Sequence, residues 1–149
     1  MYKKKRKSKK QVKKEGVIVV AGKRKRATAK ATIKQGAGKI IINTKPINLL
    51  PRTSQLLIRE PLEITEKVIP GLIQKVDIKV NVKGGGKEAQ IDASRLAITR
   101  ALVAFTKNKE LRNAFIVYDR HLLTADIRRK ETRKPGDSKA RAKRQKSYR

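Results

Sequence analysis

Apolar and polar positions along this chain follow two different periods, and the places where the period changes outline its elements. Residues 27–34 set Ala27, Ala29, Ala31 and Ile33 between Thr28, Lys30, Thr32 and Lys34. A period of two belongs to a strand with one packed and one open face, and the small alanines predict close backbone approach on the packed side. Ahead of it, Val17-Ile18-Val19-Val20 is an unbroken apolar run ending in Ala21-Gly22, read as a buried strand. Gly36-Ala37-Gly38 supplies a turn, and Lys39-Ile40-Ile41-Ile42-Asn43 reads as the returning strand of a hairpin. Pro46 opens a turn-and-helix region: Thr53 or Ser54 caps a short helix through Arg59, Pro61 starts the next, and Pro70-Gly71 punctuates. Residues 76–82 alternate strictly, and Gly84-Gly85-Gly86 follows. There the period lengthens: Ile91, Ile98, Leu102 and Phe105, with Ala97 and Ala101 beside them, predict a helix over 88–105, from which Arg95 and Arg100 project elsewhere. A last helix is predicted over 109–117, with Leu111, Phe115 and Ile116 inward. This order gives an α+β or split α/β domain without internal repeats, a small mixed sheet packed by helices.

Charge divides the chain into three parts. Residues 1–14 hold nine basic and no acidic side chains, and residues 128–149 hold eleven basic and two acidic. The body, 15–127, carries 21 basic and 10 acidic residues within a formal net charge of +29 for all 149. Both arms are nearly devoid of Val, Ile, Leu and Phe, so they lack the apolar area that offsets the entropy of ordering and are expected to be disordered alone. The body suffices for one modest core. Such a surplus opposes compaction until a polyanion neutralises it. An anionic membrane is the competing partner, but a surface-seeking helix sets Trp, Phe and Leu opposite its basic face, and neither arm does. No membrane span or signal peptide is legible. The absence of cysteine permits a reducing cytoplasm. Nucleic acid is the expected partner.

Catalysis finds little support. His121 is the only histidine, no nucleophile-elbow pattern surrounds a serine, and the acidic residues are scattered singly. No metal-ligand spacing appears, and no cofactor is expected. Gly84-Gly85-Gly86-Lys87 is not a Walker loop, since Glu88 stands where a hydroxyl is needed. Three glycines before a helix can still offer backbone N–H groups to a phosphate, or simply make a flexible turn. Lys23-Arg24-Lys25-Arg26 puts four cations after a strand end, continued by Lys30 and Lys34 on the next strand's outward face. These side chains are read as phosphate contacts.

The C-terminal arm adds Arg128, Arg129, Lys130, Arg133, Lys134, Lys139, Arg141, Lys143 and Arg144, then Lys146, Ser147, Tyr148 and Arg149. Long cations spaced by Ala and Ser suit threading between phosphate strands, and arginine adds a planar two-pronged donor. Tyr148 is placed to stack on a base or ribose. Aromatics make up 3% of the chain, which leaves no stacking platform, so recognition is expected through phosphates and shape.

Three stretches resemble the small-subunit ribosomal protein nine family: GKRKRATAKATIKQGAGKIIIN (22–43), KVDIKVNVKGGGKEAQIDASRLAITRAL (75–102) and DRHLLTADIRRKETRKPGDSKARAKRQKSYR (119–149). With the helices between them the resemblance covers about 17–149, and the ending QKSYR is similar to the archaeal and eukaryotic branch. Arg26, Ala89 and Ile127 stand where the family pattern carries Thr, Gly and Pro. The resemblance implies a fold like the second domain of ribosomal protein five, with a left-handed crossover. It further implies binding to the head (3′ major) domain of small-subunit rRNA beside neighbouring head proteins. The tail would reach the anticodon stem-loop of P-site tRNA: 128–144 in rRNA, and Arg149 with Lys146, Ser147 and Tyr148 at the tRNA. A generic nucleic-acid-condensing protein and an RNA-processing enzyme are the alternatives.

Overall fold

The computed structural model describes residues 16–136, 139–141 and 147; the expected arm 1–14 lies outside them. Five strands form one mixed sheet: β1 (Ile18–Arg24), β2 (Ala27–Gln35), β3 (Ile40–Ile42), β4 (Lys45–Pro46) and β5 (Val76–Lys83). Their spatial order is β1-β2-β5-β3-β4, antiparallel except where β3 runs parallel to β5. The helices are α1 (Arg52–Val68), α2 (Lys87–Thr106) and α3 (Lys109–Tyr118). Only one sheet face is covered, so this is the expected α+β class, with α1 inside the crossover that joins the parallel pair β3 and β5.

The period-two reading of β2 holds throughout: Ala27, Ala29, Ala31 and Ile33 are all fully buried, while Lys30 and Lys34 are exposed. In β5, Val76, Ile78, Val80 and Val82 face the same core. α2 lies across β1 and β2 and contributes Ile91, Ala93, Ala97, Ile98, Ala101 and Leu102. Ile58 and Leu62 of α1 close the cluster. A smaller core forms where α3 meets α1: Leu111, Phe115 and Leu122 pack against Ile64, Val68 and Val103. Burying a side chain such as Phe115 stabilises by roughly 1.5–3 kcal/mol.

The structure departs from expectation in five places, each for a local reason. Residues 40–42 do not return along β2 as a hairpin. β5 takes that edge with eight paired residues, from Thr28↔Lys83 to Gln35↔Val76, against the three that β3 can offer. The Asp77 carboxylate anchors the connection, accepting the N–H groups of Ala37 (2.9 Å) and Lys39 (3.0 Å). The Lys39 amide is the chief reason this carboxyl is held below its ordinary 3.8. Strand β1 is not buried on both faces but forms the sheet edge, leaving Val17 and Val19 more than half exposed. Pro61 does not divide two helices. It sits inside α1, its ring buried, because the turn that loses one backbone N–H also carries Ile58 and Leu62 into the core. Neither Thr53 nor Ser54 caps a helix there; α1 begins directly after Pro51. Finally, Ile116 points outward, since the turn that buries Leu111 and Phe115 carries the next residue about 100° around the helix.

The two α2 arginines act as clamps. Arg95 pairs with Glu60 of α1 and with Asp119 just past α3. Arg100 donates from Nε to the Leu123 carbonyl (2.8 Å) and from a terminal nitrogen to that of Ala21 (3.1 Å). The segment after α3 is thereby fastened to the body. At Gly22 the sheet and α2 come so close that a Cβ would lie 2.7 Å from the Ala97 nitrogen and against the Ala93 carbonyl. Gly22→Ala is therefore expected to lower the unfolding free energy by about 1–3 kcal/mol. Denaturant titration checks this, and an unchanged midpoint would mean α2 does not press on β1 there.

Candidate nucleic-acid interface

β1 and β2 join through a two-residue turn, Lys25-Arg26, closed by the Arg24↔Ala27 pair. Lys25 holds φ +50°, unusual for a side chain with a Cβ. The glycine loop packs directly behind this turn. Gly84 and Gly85 both have positive φ, and a Cβ would meet the Arg26 carbonyl at 2.8 Å on Gly84 and the Ala27 Cβ at 2.9 Å on Gly85. Their glycine character thus follows from backbone crowding as well as from torsion. Gly86 has open space and caps α2 with no side-chain hydrogen bond, leaving the helix's first amides toward solvent.

Turn and loop form two walls of a cleft of about 780 Å³, and the segment after the body forms the third. Its cations are Lys23, Lys25, Arg26, Arg128, Arg129 and Lys130, with Thr28, Gly85, Gly86 and Ala89 between them. Among the described residues no carboxylate lines it. Three groups far apart in the chain are thus brought together at the positive end of α2, an arrangement complementary to phosphate.

What sets the third wall is Asp126, with a side chain only 8% exposed. It pairs with Arg24 from the root of the turn and with Arg128 (2.8 Å), and it accepts the Arg128 backbone N–H (2.8 Å). Arg24 also meets Asp92 of α2 (3.5 Å). So Arg24, expected at a phosphate, lies in a tight ion-pair knot around a cavity of about 140 Å³ beside His121, and it does not line the cleft.

The other predicted residues are distributed as follows. Lys30 and Lys34 lie on the uncovered sheet face, and Lys87 is exposed at the start of α2. Arg133, Lys134 and Lys139 are exposed beyond the cleft. Arg141 grips the Glu131 carboxylate with two nitrogens (3.0 and 2.6 Å), which lowers that carboxyl and raises the guanidinium. Both groups are solvent-exposed, so the pair is weak enough for a phosphate to replace. Ser147 is exposed; Lys143, Arg144, Lys146, Tyr148 and Arg149 fall outside the described residues. Sequence reasoning missed Asp126, which had no signal beyond an acid in a basic stretch. It also missed Lys79 and Lys83, whose outward direction the alternation of 76–82 did carry.

Among the described residues no group of carboxylates or histidine is arranged to hold a metal ion, and no helix is long and apolar enough to cross a membrane. A profile of the family described as "Ribosomal protein S9/S16" matches residues 22–149. The chain is 44% identical over 136 residues to the small ribosomal subunit protein uS9 of Methanococcus maripaludis strain C7, covering 89% of this chain and 98% of that one. It is 46% identical over 133 residues to the uS9 protein of Thermoplasma volcanium, with the same coverage.

Asp126→Ala should free both the turn root and the segment leading out of the body. The expected loss is about 1–3 kcal/mol of unfolding free energy, the order seen when a buried charged partner is stranded. Faster amide exchange at Arg128 should accompany it. Unaltered exchange there would show that the cleft's third wall does not depend on Asp126.

Proposed function

The chain belongs to the ribosomal protein S9/S16 family, and from that premise we propose that its cleft and C-terminal arm bind the head (3′ major) domain of small-subunit rRNA, with the end of the arm reaching the anticodon stem-loop of P-site tRNA. It is a structural constituent of the small ribosomal subunit, works on the ribosome in the cytoplasm, and is not an enzyme. Its partners are rRNA and neighbouring ribosomal proteins.

The observation that carries the finer reading is the cleft itself: six cations from two distant segments, no acid among the described residues that line it, and a helix start with free amides. Each cation that neutralises a phosphate releases condensed counterions, so such a site binds a polyanion without reading bases. In this reading Lys23, Lys25, Arg26 and the glycine loop hold phosphates from the body side. Arg128, Arg129 and Lys130 continue the contact outward, followed by Arg133, Lys134, Lys139, Arg141, Lys143 and Arg144. Arg24 supports the surface from beneath. The 22 residues from 128 to 149 extend to about 79 Å at most, a reach that lets Lys146, Ser147, Tyr148 and Arg149 meet an RNA beyond the one at the cleft. In this reading the chain divides into the RNA-binding body 15–127, the arm 1–14 and the tail 128–149.

Removing residues 146–149 should leave the protein sedimenting with small subunits in a density gradient. The same subunits should bind P-site tRNA about tenfold or more weakly, the order of one lost charge-assisted hydrogen bond. Undiminished tRNA affinity would refute the tail assignment, and a full-length chain that sediments free of subunits would refute the rRNA assignment.

A further inference from the structure

The sheet face that no helix covers holds a second cationic array, which adjoins the cleft at Lys23 and Thr28 and runs away from it along the strands. Its geometry follows from the β2–β5 register. The outward pairs are Thr28↔Lys83, Lys30↔Asn81, Thr32↔Lys79 and Lys34↔Asp77. Reading along the ladder, the cation falls on β5, then β2, then β5, then β2. Lys83, Lys30, Lys79 and Lys34 therefore form a zigzag, and all four are exposed. Successive lysines are diagonal neighbours with Cα atoms about 8 Å apart, so no two stand directly opposite, where like charges repel most. Lys23 of β1, across from Thr28, widens one end. The sole acid in the ladder, Asp77, has a carboxylate oxygen taken by the Ala37 and Lys39 amides.

Lysines on a sheet often guard an edge against pairing, but β2 and β5 are interior strands, so that role does not account for these. We infer that this uncovered face is a second docking surface for folded RNA, the Lys83–Lys30–Lys79–Lys34 zigzag following one phosphate strand while Thr28, Thr32 and Asn81 hydrogen-bond to phosphate or ribose. The inference rests on the reading that the chain binds small-subunit rRNA. Charge favours RNA over a protein occupant. Lysine is depleted from the centres of protein interfaces, and the apolar side chains of this face lie toward its margins: Val19 and Ala21 of β1, beside Thr32 and Lys30, and Ile41 of β3 with Pro46 of β4, beside Lys79. The zigzag has no aromatic residue, so it holds backbone and reads no base.

The test uses the full-length protein and protein-free small-subunit rRNA, with binding measured across salt concentrations. Replacing Lys30, Lys34, Lys79 and Lys83 by Gln should make the slope of log affinity against log salt shallower by about 3, from roughly 0.7–0.9 per phosphate contact. Replacing the same four by Arg should restore it, which distinguishes lost charge from a damaged fold. A parallel variant, K25Q/R26Q/R129Q/K130Q, probes the cleft alone. An unchanged slope for the sheet variant beside a shallower one for the cleft variant overturns this proposal, leaves rRNA binding standing, and points to a protein neighbour on the face. If neither variant alters the slope, the rRNA reading fails and this proposal with it. A sheet-variant loss that the Arg set does not restore also overturns the proposal.

Discussion

Twenty-one basic side chains have to be held near ten acidic ones by a body with one modest core and a small satellite, and its two arms carry twenty more basic side chains. Every placement of charge follows from that constraint. The carboxylates are too few to neutralise the surface, so their position matters more than their number. Glu60 and Asp119 meet at Arg95 between three helical segments, and Asp92 and Asp126 meet at Arg24 beside the turn. Each adds a polar tie between elements that the apolar cores already bring together. Partly buried pairs of this kind are costly to break even where their net contribution is modest.

Placing acids at seams leaves two surfaces with surplus positive charge: the three-walled cleft, and the open face of the sheet, where Asp77 is the one acid of the β2–β5 ladder. Self-repulsion there works against the free protein. The same repulsion becomes attraction when a polyanion arrives, so the energy that binds RNA is the energy that strains the fold without it. Asp126 couples the two regimes. By holding Arg24 and Arg128 together it fixes where the basic tail leaves the body, and so aligns the tail with the cleft before any RNA is present.

Much of the fold was legible because its strongest signals are local. Alternation from Ala27 to Lys34 and from Val76 to Val82 fixes which side chains face the helices, and the Ile91–Phe105 periodicity fixes α2. Strand pairing is a competition between distant segments, so the sequence near Ile40 could not reveal that β5 would displace it from β2. Pro61 and Ile116 misled because tertiary packing overrode the local preference. At the site, the basic turn, the glycine loop and the cations after Ile127 were each recognisable. Their convergence was not, since it depends on Asp126 and on clamps such as Arg100 to the Leu123 carbonyl. Lys79 and Lys83 were readable from the alternation, but their alignment with Lys30 and Lys34 needs the β2–β5 register.

The central claim is that unneutralised positive charge strains the free protein and is relieved by an outside polyanion. Thermal unfolding of the isolated full-length chain, followed from about 0.05 M to 0.5 M monovalent salt with no RNA present, addresses it most directly. Screening lengths shrink several-fold over a range of that kind, so the account predicts a midpoint that climbs steadily with salt. A midpoint that stays level, or that is highest at the lowest salt, would contradict it.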